Sequence, residues 1–151
     1  MKKVIFQILL LIGLIILLGV ATLVFKYDPK QIRIGDISSM RSELIAKKWT
    51  WVKTTSSDGA VVTPVQSDKF TLTFAKDSSV AITTDCNGGG GKYTATGSKL
   101  SFGEIASTLM YCDGSQETQF FSMINDVQGY TISPNGELTL NLTSGGKSEF
   151  K

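Results

Sequence analysis

The sequence predicts a mostly β domain of the α+β class, a curved antiparallel sheet or small barrel with one packed helix, behind an N-terminal transmembrane helix. Three observations carry this. Residues 4–25 hold no charged side chain. Beyond residue 47, short β-branched and aromatic runs alternate at period two between turn signals, as half-buried strands do. A single stretch, Ser115 to Val127, spaces its apolar residues as a helix does. The expected organisation is a signal anchor over 1–26, a juxtamembrane linker over 27–47 and a globular domain over 48–151.

The first element is the apolar segment from Val4 to Phe25. At about 1.5 Å per residue it spans roughly 33 Å, close to the bilayer's hydrocarbon core of about 30 Å. Lys2 and Lys3 precede it and Lys26 closes it. Two readings stand: an uncleaved anchor with a single span, or a secretory signal cut near Ala21 in Gly19-Val20-Ala21. No cysteine follows closely, so this is not a lipoprotein anchor. Lysines and arginine flank both sides, so the positive-inside rule alone does not orient it.

Asp28-Pro29 ends that segment, and residues 28–39 show no periodicity, which reads as linker. Residues 40–47 suit either a short helix or a lead into the first strand. Trp49-Thr50-Trp51-Val52 opens the β pattern and Ser56-Ser57-Asp58-Gly59 turns it. Phe70-Thr71-Leu72-Thr73-Phe74 alternates strictly, Asp77-Ser78-Ser79 turns, and Val80 to Thr84 returns. Asn87 to Gly91 reads as a glycine-rich turn before the strand Lys92 to Thr96, and Gly97-Ser98 leads into Lys99 to Phe102. In the predicted helix, Phe120, Phe121, Ile124 and Val127 form the stripe; Asp113 with Gln116, or Ser115, caps its start and Gly129 ends it. Tyr130 to Ile132, Glu137 to Leu142 and Glu149-Phe150 complete the strands.

Composition narrows the chemistry. The 151 residues include no histidine, which removes His-based triads, zinc–histidine sites and imidazole acid–base catalysis. Of fifteen basic residues, Lys2, Lys3 and Lys26 flank the apolar segment; the remaining twelve face thirteen acidic ones. No basic cluster suited to phosphate backbones is present, so no nucleic-acid partner is expected. Gly88-Gly89-Gly90-Gly91-Lys92 lacks the G-K-[ST] ending of a phosphate loop. Trp49 and Trp51, at i and i+2, share one strand face and suit core packing or, less commonly, stacking on a ligand. Cys86 and Cys112 are each beside an aspartate, which raises a thiol's pKa and disfavours a nucleophile. With an export-type N-terminus a disulfide is the simpler reading, and it places the domain outside the cytoplasm. No metal, cofactor or catalytic residue is expected.

The ordered series Trp49-x-Trp51, Asp58-Gly59, Cys86-Asn87, Gly91-x-Tyr93 and Thr108-x-Met110-x-Cys112, with Glu117 and Phe120 in the following helix, resembles the META/HslJ family. The resemblance spans about residues 48–150. It departs from the family at Asp85, where a glycine is common, at Tyr111, where a small residue is common, and in the long glycine run. It implies a compact, mostly antiparallel domain with one helix in the bacterial envelope, associated with stress response and novobiocin tolerance. It carries over no catalytic residue; Trp49, Trp51, Asn87, Gly91, Tyr93, Thr108 and Met110 come with it as structural positions. The expected protein is thus a non-catalytic, single-span inner-membrane protein with its domain extracytoplasmic, or periplasmic after cleavage, that binds an envelope protein or lipid partner. The alternative is a carrier or sensor whose β domain holds a small hydrophobic ligand against Trp49, Leu72, Phe74 and Leu100.

Overall fold

A computed structural model describes residues 34–151, with side chains from Ser39 onward. The apolar segment and its membrane span lie outside the described residues, among which no helix is long and apolar enough to cross a membrane. The chain order is α1 (Ile34–Leu44), β1 (Lys48–Thr55), β2 (Val61–Val62), a 3-10 turn (Ser67–Lys69), β3 (Thr71–Phe74), β4 (Ser79–Thr83), β5 (Gly88–Thr96), β6 (Lys99–Ser107), α2 (Glu117–Asn125), β7 (Val127–Ile132), β8 (Leu138–Leu142) and β9 (Lys147–Phe150).

All nine strands join one antiparallel sheet in the order β2-β1-β3-β4-β5-β6-β7-β8-β9. β1 also pairs with β9, through Trp51↔Phe150 and Lys53↔Glu149, so the succession of neighbours returns on itself. The weakest junction is β6 with β7, paired only at Lys99↔Gly129. There the connection carries α2, whose Phe120, Met123 and Ile124 are buried in the interior. Phe120 lies 5.3 Å from both Trp51 and Phe70 and 6.3 Å from Phe150, ring centre to ring centre. The period-two rule holds in the strands: β8 buries Leu138, Leu140 and Leu142 and leaves Thr139 and Asn141 half-buried.

The sheet has two ends. At one lie α1 and the turns at residues 75–78, 97–98 and 133–137. At the other lie the turns at 56–59, 84–87 and 143–146, the loop 108–116 and the start of α2.

Three expectations need correcting. Residues 87–91 do not form a turn: Gly88–Gly91 belong to β5, paired with β4 on one side and, from Gly89, with β6 on the other. A Cβ at Gly89 or Gly90 would lie 2.7–2.8 Å from the carbonyl oxygen of Ala106 or Val80, and one at Gly91 would collide with that of Glu104. The glycines are there because neighbouring backbones press in beside a bulge at Gly91–Tyr93, not because the chain reverses. Second, the short helix allowed at residues 40–47 is the one formed, but as α1 it begins earlier, at Ile34 within the stretch read as aperiodic linker. Its Leu44 is wholly buried and Met40 and Ile45 pack against the core, a contact too sparse to leave a helical stripe in the sequence. Third, Gly129 does not end α2. The helix stops at Asn125, and Gly129 lies inside β7, where the Ser98 carbonyl oxygen passes 2.8 Å from its missing Cβ.

Candidate functional site

The motif residues separate into two sets. Trp49, Trp51 and Tyr93 belong to the buried core. The polar atom of each is satisfied: Trp49 Nε1 donates to the Leu44 carbonyl at 2.8 Å, Trp51 Nε1 to Thr54 Oγ1 at 3.0 Å, and the Tyr93 hydroxyl to the Ala75 carbonyl at 2.8 Å. Both tryptophans face inward, so the core reading of that pair holds. Gly91 serves the tight sheet described above.

Cys86, Asn87, Thr108, Met110 and Cys112 converge at the other end. A disulfide joins Cys86 to Cys112, with Cα atoms 5.8 Å apart, and ties the β4–β5 turn to the loop after β6. Beside it the buried Asn87 side chain acts as a two-sided clamp. Its Oδ1 accepts from Met110 N at 2.9 Å and Thr108 Oγ1 at 2.7 Å, while its Nδ2 donates to Met110 O at 2.9 Å and Glu117 Oε1 at 3.1 Å. An amide engaging both backbone groups of one residue imitates a strand partner and fixes Met110 without a strand. The other carboxylate oxygen of Glu117 accepts from Asn87 N at 2.9 Å and from Thr84 Oγ1 at 2.7 Å.

Sequence reasoning missed a further layer. Asp85 caps α2 from outside the helix: Gln116 N donates to its Oδ2 at 2.9 Å and Ser115 Oγ to its Oδ1 at 2.5 Å. Ser115 Oγ in turn accepts from Glu117 N at 3.1 Å, so of the two expected caps the serine is the one used. A carboxylate at a helix start also complements the partial positive charge there. Gln116 reaches the other way, its Oε1 accepting from Val65 N at 2.7 Å and its Nε2 donating to Thr63 O at 3.0 Å. The signal for Asp85 was present as a departure from the family pattern. Among the described residues no buried polar side-chain atom lacks a partner.

This scaffold displays Leu109, Met110 and Tyr111, which are 96%, 63% and 90% exposed. Val65, 85% exposed, lies at the same end on the segment held by Gln116. Three consecutive apolar side chains facing water on a loop pinned by a disulfide and a buried amide is an arrangement that costs stability and suits recognition. Behind it, Cys86, Met110, Cys112, Ser115 and Glu117 line an open cleft of about 300 Å³.

Among the described residues no group of three His, Cys, Asp or Glu could hold a metal ion. Ionisation is displaced at two places. The Asp77 carboxyl is lowered to about 2, first by the Ser79 hydroxyl and then by its backbone N–H, with Lys92 adding to the effect. The Tyr130 hydroxyl is raised by desolvation. Neither residue lies in the disulfide corner.

The META domain family matches residues 42–151, most of the chain and all of its strands. The chain belongs to the META domain family. Two solved structures resemble this META domain in fold. One is the NMR structure of a protein from Burkholderia xenovorans, 21% identical, with a TM-score of 0.62 over 83% of this chain and 91% of that one. The other is the crystal structure of a DUF4847 family protein from Bacteroides vulgatus, 14% identical, with a TM-score of 0.57 over 71% of this chain and 92% of that one. No curated protein matches the chain.

Proposed function

We propose that this META protein is a non-catalytic factor of the bacterial envelope, tethered at the inner membrane by residues 4–25 with its domain outside the cytoplasm, where it binds a partner protein through the disulfide end. The single observation that carries the reading is the tip Leu109-Met110-Tyr111, exposed yet held in place by the Cys86–Cys112 bond and by Asn87. A loop that is rigid before binding loses little conformational freedom on association, so its apolar side chains act as ready anchors. Asp58, Asp68, Asp85 and Asp113 lie on the turns and loops of the same end. The matching surface is an apolar pocket rimmed by basic groups. A tether confines the domain to the membrane surface and raises its effective concentration toward other envelope proteins. By resemblance to its family, the process served is envelope stress, including tolerance of novobiocin.

The carrier alternative has less support. Trp49, Leu72, Phe74 and Leu100, which a ligand inside the sheet would have to touch, belong to one buried hydrophobic cluster and are at most 2% exposed.

The test is complementation of a strain lacking the gene. Wild-type protein restores tolerance, while Leu109→Ser/Tyr111→Ser does not, although it accumulates normally, keeps its disulfide and melts within about 0.5 kcal/mol of wild type because neither side chain is buried. Full complementation by the double variant overturns the reading.

A further inference from the structure

The two ends of the sheet differ in charge as well as in construction. On the α1 end lie Arg41, Lys47, Lys48, Lys76 and Lys99, all exposed, against Glu43, Glu137 and, in the first turn of α1, Asp36. Lys92 and Asp77 are beside them but pair with each other at 3.4 Å. Two of the five are fixed in place: Arg41 Nη2 donates to the Lys76 carbonyl at 3.3 Å and to Ser78 Oγ at 3.2 Å, and Lys47 Nζ donates to the Gly136 carbonyl at 2.7 Å. These bonds go to uncharged acceptors, and among the described residues neither cation has an acidic partner within ion-pair distance. The disulfide end has the opposite balance: among the described residues Lys69 and Lys147 stand against Asp58, Asp68, Asp85, Asp113 and Glu117, and Lys53 is paired with Glu149.

We infer that the α1 end is a docking face for an anionic bilayer surface, which seats the domain upright with its disulfide end pointing away from the membrane. The chain itself argues for this occupant. It enters the domain at this end through α1, and only residues 26–33 separate α1 from the apolar segment. Fully extended, eight residues reach about 28 Å, so the basic face stays close to whatever surface holds that segment. Within roughly 8 Å of an anionic surface at physiological salt each basic group strengthens adsorption about fivefold, and an acidic face is repelled. Lys26, Lys30 and Arg33 continue the same sign along the connecting stretch, against Asp28. The inference rests on the tethered reading of residues 4–25, and the experiment keeps the two apart.

Full-length protein is reconstituted into vesicles of phosphatidylcholine alone or with about 30% phosphatidylglycerol. An alkaline carbonate wash reads the tether. Lysine acetylation followed by mass spectrometry, before the wash, reads the face. The expected result is that Lys47, Lys48, Lys76 and Lys99 are modified about fivefold more slowly in anionic vesicles, that about 0.5 M salt removes the difference, and that Lys69 and Lys147 do not change. Lys48→Glu/Lys76→Glu/Lys99→Glu removes the protection of Lys47; because all three side chains are exposed, the variant keeps the wild-type fold. Equal modification in both vesicle types, or slowing at Lys69 and Lys147 instead, overturns the docking face even if the protein survives the wash. Loss of the protein in the wash with the protection present overturns the tether alone.

Discussion

The α1 end and the disulfide end close the same sheet by different physics. At the α1 end the strands reverse through tight turns, such as Ala75 to Ser79, which close on their own backbone and Asp77–Ser79 bonds, with exposed Arg41 and Lys92 and the Tyr93 hydroxyl adding bonds from outside. At the disulfide end a nine-residue loop and the start of a helix must be held without strand partners. That is achieved by one covalent bond, the buried side chains of Thr84 and Asn87 and the half-buried Glu117, whose hydrogen bonds replace a ladder. The lesson is that a turn short enough to satisfy itself constrains few residue types. A displayed loop needs a dedicated set, and the family series Cys-Asn…Thr-x-Met-x-Cys is that set.

The contrast can be broken at several points. Removing the covalent bond should cost most. Cys86→Ala/Cys112→Ala frees a 26-residue separation, and denaturant melts should show a loss of about 3 kcal/mol. A loss under about 1 kcal/mol would mean that the hydrogen bonds alone hold the loop. Next comes Asn87→Ala, which strands both backbone groups of Met110 and the Glu117 carboxylate near the surface, where water partly replaces the amide. About 2 kcal/mol is expected, together with fast amide exchange at Met110 in an otherwise protected domain. Arg41→Ala, at the opposite end, removes two exposed hydrogen bonds and should shift stability by no more than about 0.5 kcal/mol; a loss as large as that of Asn87→Ala would erase the distinction between the ends.

The smallest effect is a titration. Because the folded pKa of Asp77 lies near 2, below its ordinary 3.8, the contribution of its turn is complete above about pH 4 and is lost as pH falls through 2. Carbon-detected NMR of the carboxyl should show a midpoint near 2 that moves back toward the ordinary value in Ser79→Ala. A midpoint already near 4 in the native protein would show that the turn does not depend on that contact.

How much of this was legible beforehand follows the range of the interactions. Strands whose faces differ, such as Leu138–Leu142, announce themselves because the period-two pattern is local, and Thr71–Phe74 was found by the same alternation although Thr71 is itself buried. The α2 stripe was visible through Phe120 and Ile124, although Met123 is also buried and Val127 belongs to the next strand. The disulfide was legible by elimination, since the chain offers each cysteine no better use. Glycines 88–91 misled because a missing side chain reads the same whether the backbone must reverse or must admit a neighbour, and the neighbours here come from both flanking strands, Val80 of β4 and Glu104 and Ala106 of β6. Asp85 showed only as a departure from the family pattern, and its role as a cap could not be read locally because its helix begins more than thirty residues later. The second half of α1 stood as one of two readings of residues 40–47, while its start hid because the helix meets the core through few residues, chiefly Leu44.

The side chain of Gln116 has one more consequence. Since β1 and β9 close the ring of pairings, β2 is left with a single strand neighbour, and the backbone running on from it through Thr63 and Val65 would offer a free edge to any extended chain nearby. By filling one donor and one acceptor on that edge, the glutamine amide removes the template on which a second molecule could add a strand. At high local density, such a domain gains resistance to edge-to-edge aggregation from one uncharged side chain.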